Sequence, residues 1–237
     1  MRGRHVKRLF RMNPQFDRDT LAQRGFAVAR GLIEPAACRK LAALWPRQAL
    51  FRKHIVMQRH GYGQGEYQYF TYPLPEPVER LREALYPGLA EIANRWSEVL
   101  GGARRYPPTL KEWLKQCHAG GQKRPTPLLL RYREGDYNCL HRDLYGDLVF
   151  PLQVAILLSA PGRDFAGGEF MLVEQRPRMQ SRGEVVPLGQ GDAVIFAVNE
   201  KPNKGSRGWH RTAMRHGVSS LRSGERFTLG LIFHDAT

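Results

Sequence analysis

Residues 149–175 read VFPLQVAILLSAPGRDFAGGEFMLVEQ, and the fold turns on how that stretch divides. VFPLQVAILLS (149–159) is an apolar run, shorter than the ~18 residues a membrane span needs. APGRDFAGG (160–168) stops it with Gly/Pro turn chemistry, its paired glycines suited to positive φ. GEFMLVEQ (168–175) then opens a second strand. The same texture extends both ways. LLLRY (128–132) precedes it. EVVPL (184–188), DAVIFAV (192–198), GWHRTAMRHGV (208–218) and RFTLGLIFHD (226–235) follow, parted by GQG (189–191) and NEKPNKGSRG (199–208). Short strands with such turns predict a sandwich or barrel.

Before residue 125 the pattern is helical. In FDRDTLAQRGFAVARGLIEPAACRKLAALW (16–45), Asp17 or Asp19 caps a helix that Gly25 ends. Phe26 to Leu32 is strand-like, and Pro35 opens a helix through Trp45. Apolar residues at 78, 81, 85, 89, 92, 96 and 99 keep helical spacing, with Pro87 as a break. A short helix spans Leu110 to Cys117. The expectation is an α+β chain: a mainly helical N-terminal support region with a basic arm at 1–124, and a β core at 125–237. The two form one integrated domain, since no Ser/Pro/Gly linker divides them.

The net charge is +15, and residues 1–60 alone carry 14 Lys/Arg against 3 Asp/Glu. A basic region of this kind attracts polyanions, with nucleic acid first among them. No basic amphipathic helix with an aromatic face points to a membrane. The first residues hold no apolar run of signal-peptide length. Cys38, Cys117 and Cys139 fit neither a disulfide framework nor a zinc knuckle, which predicts a soluble, cytoplasmic protein.

The chemistry begins at LLLRYREGDYNCLHRDLYGD (128–147), where His141 and Asp143 stand two apart just past a strand. An H-x-D triplet alone is weak evidence. Downstream, GWHRTAMRH offers His210 and His216, six apart on one extended segment, and Arg226 starts the last strand. Two His and one carboxylate on one face of a metal make a non-heme Fe(II) site that leaves three positions open, two of them suited to a bidentate 2-oxo acid. An Arg deep in the barrel can hold that acid's distal carboxylate with a two-pronged fork.

At this point the sequence resembles the Fe(II)/2-oxoglutarate-dependent dioxygenases, most closely the group that includes prolyl 4-hydroxylases. The resemblance covers residues ~125–235 well. It rests on LRYREGDYNCLHRD, LQVAILLS, GGEF, VVPLGQGDAVIF and RHGVSSLRSGERF arriving in the family's order. It implies a double-stranded β-helix, a jelly-roll barrel braced by the N-terminal helices. It also implies that His141, Asp143 and His216 bind Fe(II) and that Arg226 binds 2-oxoglutarate. His216 is preferred over His210 because its ten-residue gap to Arg226 matches the family. Tyr132 sits where the family often has an aromatic hydroxyl near the cosubstrate. Dioxygen is the oxidant and ascorbate a supporting reductant. His234 reads as a surface or end-of-strand residue.

For the substrate, the first expectation is oxidative dealkylation of damaged nucleic-acid bases, hence DNA repair. Arg176, Arg178, Arg182, Lys201, Lys204 and Arg207 in two basic loops are candidate phosphate contacts. GYGQGEYQYFTY (61–72) is a candidate stacking surface for an extruded base. The alternative is a hydroxylase of prolyl or other residues in a protein, because HGV…GERF is similar to the protein hydroxylases and departs from the AlkB type. A non-enzymatic alternative is a basic nucleic-acid-binding module with a degenerate barrel, which has no need of three ligands plus Arg226.

Overall fold

A computed structural model describes residues 15–206 and 208–237. Residues 1–14, the first part of the basic region, and Arg207 lie outside the described residues. Asp17 caps α1 (Arg18–Arg24): its carboxylate accepts from the Thr20 N–H at 2.8 Å, and Gly25 closes the helix at φ 77°. The strand after it, β1, is shorter than expected, Phe26–Ala29. α2 opens at Pro35 but ends at Ala42, short of Trp45. α3 (Glu76–Val99) runs through Pro87 without the expected break. Pro87 and Glu83 are both exposed, so the Glu83 carbonyl that loses its partner lies on the solvent side. On the other side Leu81, Leu85, Leu89, Ile92 and Trp96 are buried and hold the helix across the gap. α4 (Leu110–Ala119) begins at Thr109, whose Oγ1 accepts from the Glu112 N–H.

The strands are β2 (Phe51–Val56), β3 (Gly63–Gln64), β4 (Glu66–Phe70), β5 (Leu128–Arg133), β6 (Tyr137–His141), β7 (Leu152–Leu157), β8 (Phe165–Gly167), β9 (Phe170–Gln175), β10 (Arg182–Val186), β11 (Ala193–Ala197), β12 (Glu200–Gly205), β13 (Gly208–Val218) and β14 (Leu221–Ile232). They form two antiparallel sheets. The larger runs β1-β11-β7-β14-β5-β4-β2, with β8 on β14; the smaller runs β10-β9-β13-β6-β3, with β12 on β13. The α+β class and the helix-braced jelly-roll core are borne out. β2–β4 add strands beyond the expected β1 in the region read as mainly helical, and β1, β2 and β4 join the large sheet, which thus draws on both halves of the chain.

β7 and β11 are buried along their whole length, as continuous apolar runs require when both faces are covered. Alternation then sorts their side chains. Leu129 of β5, Leu152, Val154 and Ile156 of β7, and Leu229 and Leu231 of β14 join the buried face of α3 in one core. Their neighbours Leu128, Leu130, Tyr132, Gln153, Ala155, Arg226 and Thr228 line a cavity between the sheets. Gly167 and Gly168 take φ 78° and 61°, as their turn demands. Among the described residues no helix is long and apolar enough to cross a membrane.

Candidate active site

The cavity, about 290 Å³, takes its lining from both sheets. One irregularity sets its chemistry. His216 of β13 pairs with His141 of β6, yet Val218 pairs with Asn138, so β6 carries one residue more than its partner over that span. Such a bulge re-aims side chains. It lets Asn138 and His141, three apart, both line the cavity. Gly217 makes the close approach possible, since a Cβ there would stand 2.7 Å from the Asn138 carbonyl oxygen.

Three of the expected ligands meet here. His141 Nε2 lies 3.4 Å from Asp143 Oδ1, and His216 Nε2 lies 3.4 Å from Asp143 Oδ2. The two imidazole centroids are 4.1 Å apart, and one donor atom from each of the three residues falls within 4.8 Å of the others. His141 Nδ1 donates to the Cys139 carbonyl at 2.7 Å, which leaves its Nε2 lone pair free toward the cluster. Asp143 accepts from the Tyr145 hydroxyl at 2.8 Å and from Gln153 Nε2 at 2.9 Å, and Tyr69 donates to Tyr145 in turn. His216 packs against Phe196 and Phe170.

Electrostatics follow from this placement. Burial alone would raise the Asp143 carboxyl, but hydrogen bonding and charge from the two imidazoles hold it well below the usual carboxylate range. Burial opposes charge on His141 too, and Asp143 overcomes it, so His141 is raised. His216 is more deeply enclosed, and burial keeps it lowered. A carboxylate flanked by two imidazoles, with no Lys or Arg within ion-pair distance among the described residues, is a donor set suited to a divalent metal.

Arg226 lines the same cavity and is 2% exposed. Its Nη1 donates to Thr228 Oγ1 at 2.7 Å, its Nε has no partner, and among the described residues no carboxylate lies within ion-pair distance. The guanidinium sits 5.6 Å from the Tyr132 ring centroid and 5.9 Å from that of Phe165. Burial pulls its pKa down to about 10. A buried, unpaired guanidinium is costly unless an anion joins it, and a carboxylate matches its fork. The Tyr132 hydroxyl accepts from Asn138 Nδ2 at 3.3 Å, and burial pushes it up to about 12.

Other expectations fare differently. His210 sits on the β12–β13 hairpin opposite Asn203, about 20 Å along the strand from His216 at ~3.4 Å per residue. His234 is wholly buried rather than at the surface: its Nδ1 accepts the Phe150 N–H at 3.1 Å. Lys201 is not a free loop cation. Glu200–Gly205 is strand β12, and Lys201 is 2% exposed, bonded to the Gln23 carbonyl. In the aromatic stretch Tyr62 is exposed, while Tyr67 and Tyr69 turn inward on β4. Gln153 and Tyr145, which hold Asp143, were not read from the sequence. Gln153 hides in an apolar run, and its polarity inside LQVAILL was the one available signal.

A family model described as "Oxygenase, catalysing oxidative methylation of damaged DNA" matches residues 65–236. The chain belongs to this Oxygenase-NA family. The oxygenase is also 54% identical over 167 residues to proteins from two strains of Mycobacterium tuberculosis, CDC 1551 / Oshkosh and ATCC 25618 / H37Rv. The match covers 70% of this chain and 72% of theirs, and both relatives are named as uncharacterized proteins. Among solved structures it resembles a Pseudomonas putida prolyl-4-hydroxylase (TM-score 0.52, 15% identity, 93% of this chain and 97% of that one). It resembles equally an oxidoreductase of the 2OG-Fe(II) oxygenase family from Burkholderia pseudomallei (TM-score 0.53, 16% identity, 93% and 91%). At such identities the likeness is one of fold. By its family the protein is an oxygenase, and its His–Asp–His cluster is a set of side chains that could hold a metal ion.

Proposed function

We propose that this oxygenase removes alkyl groups from damaged bases in DNA. In this reading His141, Asp143 and His216 hold Fe(II), and Arg226 holds the distal carboxylate of 2-oxoglutarate with Tyr132 beside it. The observation that carries the reading is the unpaired buried guanidinium in the same cavity as the His–Asp–His cluster. One cavity thus offers a metal site and a carboxylate site. The choice of DNA is supported by the family's description and by the +15 charge of the chain.

Iron held by His141, Asp143 and His216 would supply an oxidation in which one atom of dioxygen hydroxylates a C–H bond and the other enters succinate as 2-oxoglutarate loses CO2. On an N-methyl carbon the new hydroxyl makes the carbon leave as formaldehyde, with the proton returned to nitrogen, so the methyl is removed. The chain's own residues do the rest. Tyr145 and Gln153 fix the Asp143 carboxylate, and Cys139 fixes the His141 ring. Phe170 and Phe196 keep water from the inner side of His216. Arg226 and Thr228 anchor the cosubstrate end. Exposed Tyr62, Leu144 and Arg142 line the mouth, where an aromatic face and a cation meet an extruded base and its phosphate.

The test is turnover of N-methylated single-stranded oligonucleotide by the purified, Fe(II)-loaded protein with 2-oxoglutarate and ascorbate. Succinate and formaldehyde are expected in equal amounts. Succinate stimulated only by basic peptides, with no formaldehyde from the oligonucleotide, would move the protein to the protein hydroxylases.

A further inference from the structure

A second polar cavity of about 120 Å³ lies on the far side of Leu172 and Met214, at the end of the sandwich under α1. Phe170 and His216 line the first cavity; Leu172 and Glu174 of β9 and Met214 of β13 follow them on the same strand faces and line the second. Four cations converge there: Arg24 from the end of α1, Arg176 just after β9, Arg182 at the start of β10, and Lys201 of β12. Two come from the first basic loop of the sequence and one from the second, which β-pairing brings together.

Two carboxylates face these four cations, and both are shared. Glu174 lies 2.5 Å from Arg176 and 3.4 Å from Lys201. Glu184 lies 2.8 Å from Arg24 and 3.7 Å from Arg182. The walls therefore hold two positive charges in excess. Lys201 is the buried one, its Nζ tied to the Gln23 carbonyl at 2.9 Å. Burial lowers its pKa, Glu174 raises it, and the charges of Arg176 and Arg182 press it down further. A buried ammonium among arginines is stable when an anion completes the set. The arginine side chains are partly exposed, so an anion can enter from solvent.

We propose that this cavity binds a phosphate group. Arg24, Arg176 and Arg182 would contact its oxygens, with Lys201 behind them as a fixed charge. The same chemistry suits a backbone phosphodiester of nucleic acid and a free phosphate, and it stands whether or not the oxygenase acts on DNA.

The experiment is calorimetric titration of inorganic phosphate into the full-length protein, repeated with the Arg24→Gln/Arg182→Gln double variant and with Arg222→Gln as a control on another face. Both substituted arginines are partly exposed, and unchanged unfolding temperatures without phosphate confirm that the variants fold. Saturable binding is expected, weakened about tenfold or more in the double variant and unchanged in Arg222→Gln. Displacement of phosphate by a single-stranded oligonucleotide would assign the site to a nucleic-acid backbone. Retained phosphate would assign it to free phosphate. Absence of saturable binding, or binding that the double variant leaves intact, overturns the proposal.

Discussion

Two cations, Arg226 and Lys201, are both 2% exposed, yet the sequence made only one of them legible. Arg226 was marked by its place ten residues after His216, and its lack of a carboxylate partner gives that place a purpose. Lys201 stood in a run of loop-like residues, NEKPNKGSRG, and it is buried by the pairing of β12 with β13 together with the end of α1 at Gln23 and Gly25. Gln153 was illegible for the opposite reason, a lone amide inside a strand read as apolar. Its hydrogen bond to Asp143 is of the kind whose loss weakens metal binding about 10–100-fold. Gln153→Leu is therefore expected to weaken Fe(II) by that factor with little change in unfolding temperature, measured by competition with a chelator. Unchanged affinity would mean that Tyr145 alone orients Asp143.

His234 carries a pH dependence. Burial lowers its pKa from 6.5 to about 4, and its Nδ1 must stay unprotonated to accept the Phe150 N–H. Between those two values the unfolded chain binds a proton that the native state refuses. Stability is therefore full above about pH 6.5 and falls as pH drops toward 4, by about 3 kcal/mol in all. Urea unfolding of wild type and His234→Gln across this window is expected to show a shallower slope in the variant. Equal slopes would mean that His234 titrates normally in the native state.

At the scale of elements, the bulge in β6 does what no single residue does: it turns Asn138 and His141 into the same cavity. It depends on Gly217, and Gly217→Val would drive a side chain into the Asn138 carbonyl. Overpacking of this kind costs about 1–3 kcal/mol. The expected result is a lower unfolding temperature together with weaker Fe(II) binding, because β6 carries His141 away from His216. A fall in stability with iron affinity intact would show that the bulge is not what sets the ligand spacing. The β core after residue 125 was legible because its strands are apolar and separated by Gly/Pro turns. β2 and β4 were not, since FRKHIV and EYQYF mix charge with aromatics in the edge strand and its neighbour. Pro87 misled for a related reason: a proline breaks a helix by its chemistry, and burial on the opposite side decides whether the helix survives it.

At the scale of the molecule, pairing of β6 with β13 in the smaller sheet brings together residues that stand 75 apart in the chain, His141 and His216, and α3 covers the outer face of the larger sheet. The sequence displayed the His–Asp–His residues and their order, while the depth of the cavity and the isolation of Arg226 exist only in the closed sandwich. The central claim is that one cavity holds iron at one set of residues and a dicarboxylate at another. The most direct measurement is anaerobic calorimetry of Fe(II) and then 2-oxoglutarate binding to wild type, Asp143→Ala and Arg226→Ala. Asp143→Ala is expected to lose iron. Arg226→Ala is expected to keep iron, which also shows that it folds, and to bind 2-oxoglutarate about a hundredfold more weakly. Unchanged 2-oxoglutarate affinity in Arg226→Ala, or retained iron in Asp143→Ala, would contradict the account.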